Sequence, residues 1–338
     1  MKIEKNKSLK DYTGFKLDII ASQFIELKKE SDFFDLLEFL SLNKEKKIII
    51  GDATNILFLD DYDGIVIKNS IEGIELTETS DKTKIIKVSS GVIWDDFVDF
   101  AVNNNLGGGI ENLVSIPGRL GSAIVQNIGA YGVELKDIIL SVEAYCFETK
   151  KIVTFTKSEL EFEYRNSFFK KNSDKYFIIS ALFELVNNPK DFILDYGNIK
   201  KNIANDIELS PLVIANTIRK IRNSKLPDHK VLGNCGSFFK NPVIDYNLFN
   251  LLKSKNENIP NYKINEELVK IPAAWLIENA GFKGYKEGGA MVYEHHSLII
   301  VNFDNAKPSD IKNLSDKIIK KVFEKFSIKL EPEVIFIK

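Results

Sequence analysis

The sequence predicts an α+β protein of two or three lobes, and three observations carry that reading. A chain of 338 residues is longer than one hydrophobic core usually organises. Its helical and strand-like patterns are interspersed without the regular alternation of a doubly wound sheet. No GxGxxG follows a strand-like run, so a dedicated Rossmann site for a nicotinamide is not expected.

Composition narrows the class. With 44% apolar and 28% charged residues the chain reads as an ordinary globular protein. Lys plus Arg number 46 against 48 for Asp plus Glu, and a net charge of -2 offers no field for nucleic acid, so any anion must be met locally. The N-terminal MKIEKNKSLKDYTGF has basic residues but no apolar stretch behind them, and no apolar run reaches bilayer length. A cytoplasmic location with no membrane partner is expected. Cys146 and Cys235 are too few for a disulfide framework. His229, His295 and His296 show no metal-ligand spacing, so no catalytic metal is expected.

The elements follow in order. Ser31 and Asp32 suit a cap ahead of Phe33, Leu36, Leu37 and Leu40, which fall at helical spacing. After Lys47 the period changes: residues 48–50 form a β-branched run, residues 51–55 (GDATN) a turn, residues 56–59 a second strand, and residues 61–64 a turn into residues 65–67. A strand at residues 85–89 precedes Trp94, Phe97, Val98 and Ala101, an amphipathic helix expected to stop at Gly107, Gly108 and Gly109. Strand-like runs recur at residues 142–147, 152–156 and 177–186. Ser210 and Pro211 suit the start of a helix with Ile214, Ile218 and Ile221 on one face, ended by Leu226 and Pro227. Beyond it come a helix opened by Pro272 and stopped by Gly281, a strand at residues 297–301, a helix from about Ser309 with Ile311, Leu314, Ile318 and Val322 in one stripe, and a closing strand at residues 330–337.

One stretch dominates the functional reading. Residues 116–132, IPGRLGSAIVQNIGAYG, hold Gly118, Gly121, Gly129 and Gly132 in a short apolar segment, with Pro117 fixing the entry dihedral. Such a segment lets backbone amides approach a flat ring or a phosphate; tight turns flanking a buried helix are the alternative reading. In GDATN, unpaired amides, the Thr54 hydroxyl and the Asn55 amide could grip a pyrophosphate. Three further stretches stand out: EYRNSFFK (residues 163–170), NCGSFFKNP (residues 234–242) and EPEV (residues 331–334), the last placing Glu331 and Glu333 on one face of a strand. None forms a GxSxG elbow or a hydrolase triad.

Taken together, GDATN, GGIENL, the IPG to GAYG segment, YRNSFF, SKLPD, GNCGSFFKNP, PAAWLIE, GFKG, GGA and LEPEV resemble, in the same order, the UDP-N-acetylenolpyruvoylglucosamine reductase family. The resemblance runs from Ile48 to Glu333, and the insert holding LDYGN is similar to that of the longer, type I form. It implies an FAD-binding fold of the PCMH/vanillyl-alcohol-oxidase type: a first lobe over residues 1–70 with residues 330–338 returning near the flavin, a second over residues 71–222 with an insert at 187–209, and a substrate domain over residues 223–329. It also implies reduction of UDP-N-acetylglucosamine enolpyruvate to UDP-N-acetylmuramate for peptidoglycan, with NADPH as co-substrate, ping-pong hydride transfer through flavin N5, and a monomeric enzyme.

Residue by residue, the resemblance implies Arg165 beside the reacting carboxylate, Ser237 as proton donor and Glu333 as partner carboxylate. Cofactor contacts are implied for Gly51, Asp52, Ala53, Thr54 and Asn55, for Ile116, Pro117, Gly118, Gly121, Ser122, Asn127, Gly129, Ala130, Tyr131 and Gly132, and for Arg222. Substrate contacts are implied for Tyr164, Lys225, Asn241 and His296, with Tyr196 in the insert closing over the substrate. The sequence departs from the pattern at Asp52, whose charge would disfavour a pyrophosphate unless it points away, at Ile335, where an arginine is common, and at His295 and His296, where amides are frequent. The rival readings are another flavin oxidase or dehydrogenase on the same fold, and a non-catalytic flavin- or sugar-nucleotide-binding protein.

Overall fold

A computed structural model describes residues 1–204 and 206–338; of the insert expected at 187–209, Asn205 lies outside the described residues. The chain forms two compact units whose segments interleave in sequence.

The first unit comprises Met1–Lys7, Ser22–Asp52 and Asp63–Ser224. One of its sheets orders Ile3–Ser8, Ile20–Leu27, Tyr62–Asn69 and Lys47–Ile50, the last two parallel with Ile48 opposite Val66. The β-branched run at 48–50 is therefore strand, as its composition predicts. Residues 62–64 are strand and not turn. Tyr62 is buried against the ring of Phe58, and Asp61 accepts the Ile20 amide at 2.7 Å, so tertiary pairing overrides local turn chemistry. Helix Glu30–Leu42 lays Phe33 and Leu36 on Ile25, Leu27, Ile65 and Ile67. Its cap differs from expectation. Asp32 sits inside the first turn and accepts the Lys28 and Lys29 amides at 2.9 and 3.2 Å, while Ser31 makes no cap.

The unit's larger sheet is antiparallel and orders Lys151–Thr156, Ile139–Cys146, Tyr176–Asn187, Thr83–Ser89 and Ile74–Thr79. Helix Trp94–Asn103 buries Trp94, Phe97, Val98 and Ala101 completely, as its spacing predicts. It ends before the glycines. The Asn104 amide folds back on Phe100 and Ala101, Asn105 turns left-handed at φ 54°, and Gly107 pairs in a strand opposite Val186. Helix Pro211–Asn223 starts as expected: the Ser210 hydroxyl accepts the Val213 amide at 3.3 Å, and Ile214, Ile218 and Ile221 are buried. Ser210→Ala is expected to lower stability by about 1 kcal/mol, read as a fall in the midpoint of chemical denaturation without a change of slope.

The second unit comprises Ser8–Ala21, Ala53–Tyr62 and Lys225–Lys338. The two short N-terminal segments join it through hydrogen bonds from the Asn234 amide to Gly14 at 2.8 Å and from the Gly14 amide to Ala53 at 3.2 Å. A sheet orders Asn234–Ser237, Ile299–Asn302, Ala290–Val292 and Lys286–Glu287, and helix Pro308–Phe326 buries Ile311, Leu314, Ile318 and Val322. Helix Ala273–Asn279 stops at Gly281, left-handed at φ 87°. The closing strand is shorter than expected. Ile335–Ile337 runs parallel to Ile56–Phe58, while Glu331 and Glu333 pair through their backbones with Lys240 and Phe238. Among the described residues no helix is long and apolar enough to cross a membrane.

Candidate active site

In the first unit the glycine-dense segment is held across the start of helix Trp94–Asn103. The Trp94 amide donates to Gly118 at 3.0 Å and its indole donates to Leu113 at 2.8 Å. The Leu120 and Gly121 amides donate to Val92 and Ser90, so these two amides of the expected cradle are engaged inside the protein. Ser115, left-handed at φ 58°, is gripped from both sides. Asp95 accepts its amide at 2.6 Å, and Arg222 donates to its carbonyl at 3.1 Å. The residues ahead of Ile116 and Pro117 are thus fixed by side chains of two helices. The turn–helix–turn reading also holds, since residues 120–126 are helical and largely buried.

Arg165 occupies a strained turn. Glu163 and Asn166 exchange backbone hydrogen bonds at 3.1 Å, Arg165 takes φ 55°, and its guanidinium stacks on the Tyr164 ring at 5.2 Å. Its Nη2 donates to the Gly129 carbonyl at 2.8 Å, which brings YRNSFF onto GAYG. A Cβ on Gly129 would lie 3.0 Å from Arg165 Nη1 and 3.1 Å from the Val133 carbonyl, so the chain is tightly packed at this glycine. Asn127 is fully buried, donates to the Glu163 carbonyl at 3.0 Å and to Glu134, and accepts the Lys136 amide. Its side chain therefore orients the Arg165 turn. The Ser122 hydroxyl likewise closes on its own turn, donating to the Arg119 carbonyl at 2.7 Å.

Tyr131 and Tyr196 interlock. A Cβ on Gly132 would meet the Tyr196 ring at 2.4 Å, and one on Gly197 would meet the Tyr131 ring at 2.3 Å, with both glycines left-handed. Asn112 ties the two segments, its amide donating to the carbonyls of Tyr131 and Ile193 at 2.9 Å each. Burial pushes the Tyr131 phenol up, against the pull of the Arg222 guanidinium beside it, so it stays a neutral hydroxyl.

Asp52 is paired with two cations. Its Oδ1 accepts from Lys68 Nζ at 2.6 Å and from Arg119 Nε at 2.9 Å. Burial opposes the charge, but the two cations outweigh it and hold the carboxyl below the ordinary range. The cluster therefore stabilises the fold fully above the ordinary Asp value of 3.8, and that contribution is lost as pH falls through the lower folded value. Thermal unfolding across this acid range checks the sign: wild type loses melting temperature there that Asp52→Asn has already lost at neutral pH.

The second unit gathers a different set. Ser237 is exposed between buried Cys235 and Phe238, after Gly236 at φ 64°. Glu333 lies beside it, its amide donating to the Phe238 carbonyl at 2.8 Å. Asn55 holds this segment, donating to the Glu333 carbonyl at 3.2 Å and accepting the Ile335 amide at 3.0 Å. The Asn55 side chain thereby positions Glu333. Of the two carboxylates in EPEV, Glu331 is 71% exposed and pairs with Lys240, whereas Glu333 is half-buried. Asn241 accepts the Ala273 amide at 2.9 Å and so caps helix Ala273–Asn279. Lys225 is exposed just after helix Pro211–Asn223, and His296 is half-buried in the turn before Ile299–Asn302.

Comparison with known proteins places this geometry. Residues 21–156 match the family profile described as FAD binding domain, and residues 227–337 match UDP-N-acetylenolpyruvoylglucosamine reductase, C-terminal domain. A protein of Flavobacterium johnsoniae named UDP-N-acetylenolpyruvoylglucosamine reductase is 40% identical over 99% of both chains. The chain belongs to the UDP-N-acetylenolpyruvoylglucosamine reductase family. The reductase of that name from Escherichia coli K12 is 37% identical over 98% of this chain and 96% of its own. A solved reductase of this family from Thermus caldophilus covers both chains completely with a TM-score of 0.70 at 21% identity, which shows the shared fold. The α+β architecture with an FAD-binding region and a C-terminal substrate domain is thus the one the sequence predicts. The chain is an FAD-dependent oxidoreductase of this reductase family.

The residues fit that cofactor. Arg222 keeps its Nε out of solvent with no hydrogen-bond partner among the described residues, a donor that a bound acceptor would satisfy. Sequence reasoning missed Lys68, Asp95, Asn112 and Arg119. Arg119 lies inside the glycine-dense segment itself, and a charged side chain in so apolar a stretch was the available signal.

Proposed function

We propose that the protein reduces UDP-N-acetylglucosamine enolpyruvate to UDP-N-acetylmuramate with NADPH, in the cytoplasm, as a step in peptidoglycan precursor synthesis. Arg165 carries the reading: a guanidinium held by the carbonyls of Gly129 at 2.8 Å and Asn127 at 3.5 Å, in a strained turn, is a positive charge fixed in place to meet a carboxylate. The names of the full-length relatives support the substrate.

When bound, FAD would supply the redox chemistry, relaying a hydride from NADPH to C3 of the enolpyruvyl group. The new C–H bond breaks the C2–C3 double bond and leaves the electron pair at C2, delocalised into the carboxylate. Arg165 meets that growing charge. Ser237 then gives its hydroxyl proton to C2, which completes the lactyl ether, and Glu333 shares a hydrogen bond with the intermediate. Neutral Tyr131 offers a hydroxyl without adding charge. Arg165, Tyr164 and Tyr196 belong to the first unit, Ser237 and Glu333 to the second.

With no dinucleotide fingerprint in the chain, NADPH and the sugar nucleotide are assigned one site in turn, with Lys225 meeting the diphosphate of each. Initial-rate plots against both ligands should give parallel lines, and excess sugar nucleotide should inhibit. Tyr196→Ala should weaken the sugar nucleotide and leave NADPH oxidation nearly unchanged, because a lid over the second ligand is not needed for the first. Intersecting lines with a ternary complex detected by equilibrium binding would remove the shared site.

A further inference from the structure

The three charges at residues 52, 68 and 119 form the most unusual cluster in the first unit. Lys68 and Arg119 converge on one oxygen, Asp52 Oδ1. Their side chains are 8% and 11% exposed, against 29% for Asp52. A second carboxylate, Glu72, approaches Arg119 at 4.0 Å but is 69% exposed, so solvent screens it. Arg119 also donates through Nη1 to the Gly91 carbonyl, which fixes the guanidinium in place beside the ammonium of Lys68 and concentrates positive charge in a poorly solvated spot that suits an anion.

The cluster sits where two cofactor segments meet. A Cβ on Gly51 would lie 3.1 Å from Arg119 Cβ and 3.4 Å from Ser122 Oγ, so the start of GDATN touches the glycine-dense segment at this point. All three charged residues fall inside the residues 21–156 that match the FAD binding domain. FAD carries a diphosphate.

We propose that Arg119 and Lys68 form the electrostatic seat for the diphosphate of FAD, and that Asp52 is the positioning residue that fixes both cations. Asp52 is on this account not itself a cofactor contact. Its carboxylate orients the guanidinium and ammonium groups, and their combined charge acts on the diphosphate at short range in an interior that solvent screens poorly.

The test titrates full-length apoprotein with FAD, by flavin fluorescence, over a series of NaCl concentrations. Arg119→Gln and Lys68→Met should each weaken FAD binding by roughly tenfold or more and flatten its salt dependence, since one charge contact with the diphosphate is gone. Arg119→Lys should recover most of the affinity. Asp52→Asn keeps both cations but loosens their placement, so it should weaken FAD binding by less than either cation variant and leave the salt dependence in place, while lowering the melting temperature. A purely structural cluster predicts the opposite ordering, with Asp52→Asn as harmful as Arg119→Gln and every loss of affinity tracking melting temperature. That ordering, or an unchanged salt dependence in Arg119→Gln and Lys68→Met, would overturn the proposal. Titration of the FAD-loaded protein with UDP separates the other diphosphates. Binding of UDP should be unaffected, and variants that lose UDP while keeping FAD would assign the seat to the sugar nucleotide instead.

Discussion

Ser237→Ala is expected to leave oxidation of NADPH in the first half-reaction within about twofold of wild type and to slow reduction of the enolpyruvyl substrate by roughly a hundredfold or more. The missing proton belongs to the second half-reaction alone. Gly236 at φ 64° turns the chain so that the Ser237 hydroxyl is exposed between buried neighbours, and Glu333 is fixed next to it through the Phe238 carbonyl. A hydroxyl is a weak acid in water, yet the electron pair left at C2 is a strong base, and fixed geometry supplies the rest. Ser237→Cys should regain part of the rate. Rapid-mixing measurement of each half-reaction separates these outcomes, and equal slowing of both would remove Ser237 from the role of proton donor.

Arg165→Gln is expected to lower kcat/KM for the enolpyruvyl substrate by about a hundredfold to a thousandfold, the usual loss when a preorganised donor to developing charge is removed. Arg165→Lys should recover less than about tenfold. A lysine cannot keep both the hydrogen bond to the Gly129 carbonyl and a forked contact to a carboxylate. The left-handed turn also matters. Lysine would bear the same φ of 55° without the stacking of a planar guanidinium on Tyr164. Steady-state kinetics of both variants, with NADPH oxidation in the first half-reaction as the internal control, gives the comparison.

Much of the local architecture is legible in the sequence because single residues determine it. Helix Pro211–Asn223 begins where Ser210 and Pro211 predict, and the apolar stripe from Ile311 to Val322 is the buried face of helix Pro308–Phe326. What escapes is set by distant partners. Residues 62–64 read as a turn until the burial of Tyr62 makes them strand. The closing strand reads as residues 330–337, yet Glu331 and Glu333 pair with the segment at residues 238–240, and only Ile335–Ile337 joins Ile56–Phe58. No periodicity encodes such register.

The candidate site shows the same division. Arg165, Ser237 and Glu333 can be picked out from motif order, but what holds each in place cannot. Asn127 and Asn55, read as cofactor contacts, orient the Arg165 turn and Glu333 through their side chains. Asn241, read as a substrate contact, caps helix Ala273–Asn279. Buried amides are versatile because one side chain can satisfy backbone groups from several segments, and only the folded chain shows which. Asp52 looked unfavourable near a pyrophosphate on charge alone. Its partners lie 16 and 67 residues away in sequence, beyond any local pattern.

The central claim is a flavin that NADPH reduces and the enolpyruvyl sugar nucleotide reoxidises. The direct measurement is the visible absorption spectrum of the FAD-loaded protein under anaerobic conditions, first with NADPH and then with UDP-N-acetylglucosamine enolpyruvate. The account predicts bleaching on the first addition, full recovery on the second, and one equivalent of UDP-N-acetylmuramate by mass spectrometry. Bleaching that only oxygen reverses, or a folded protein that takes up no FAD, would contradict it.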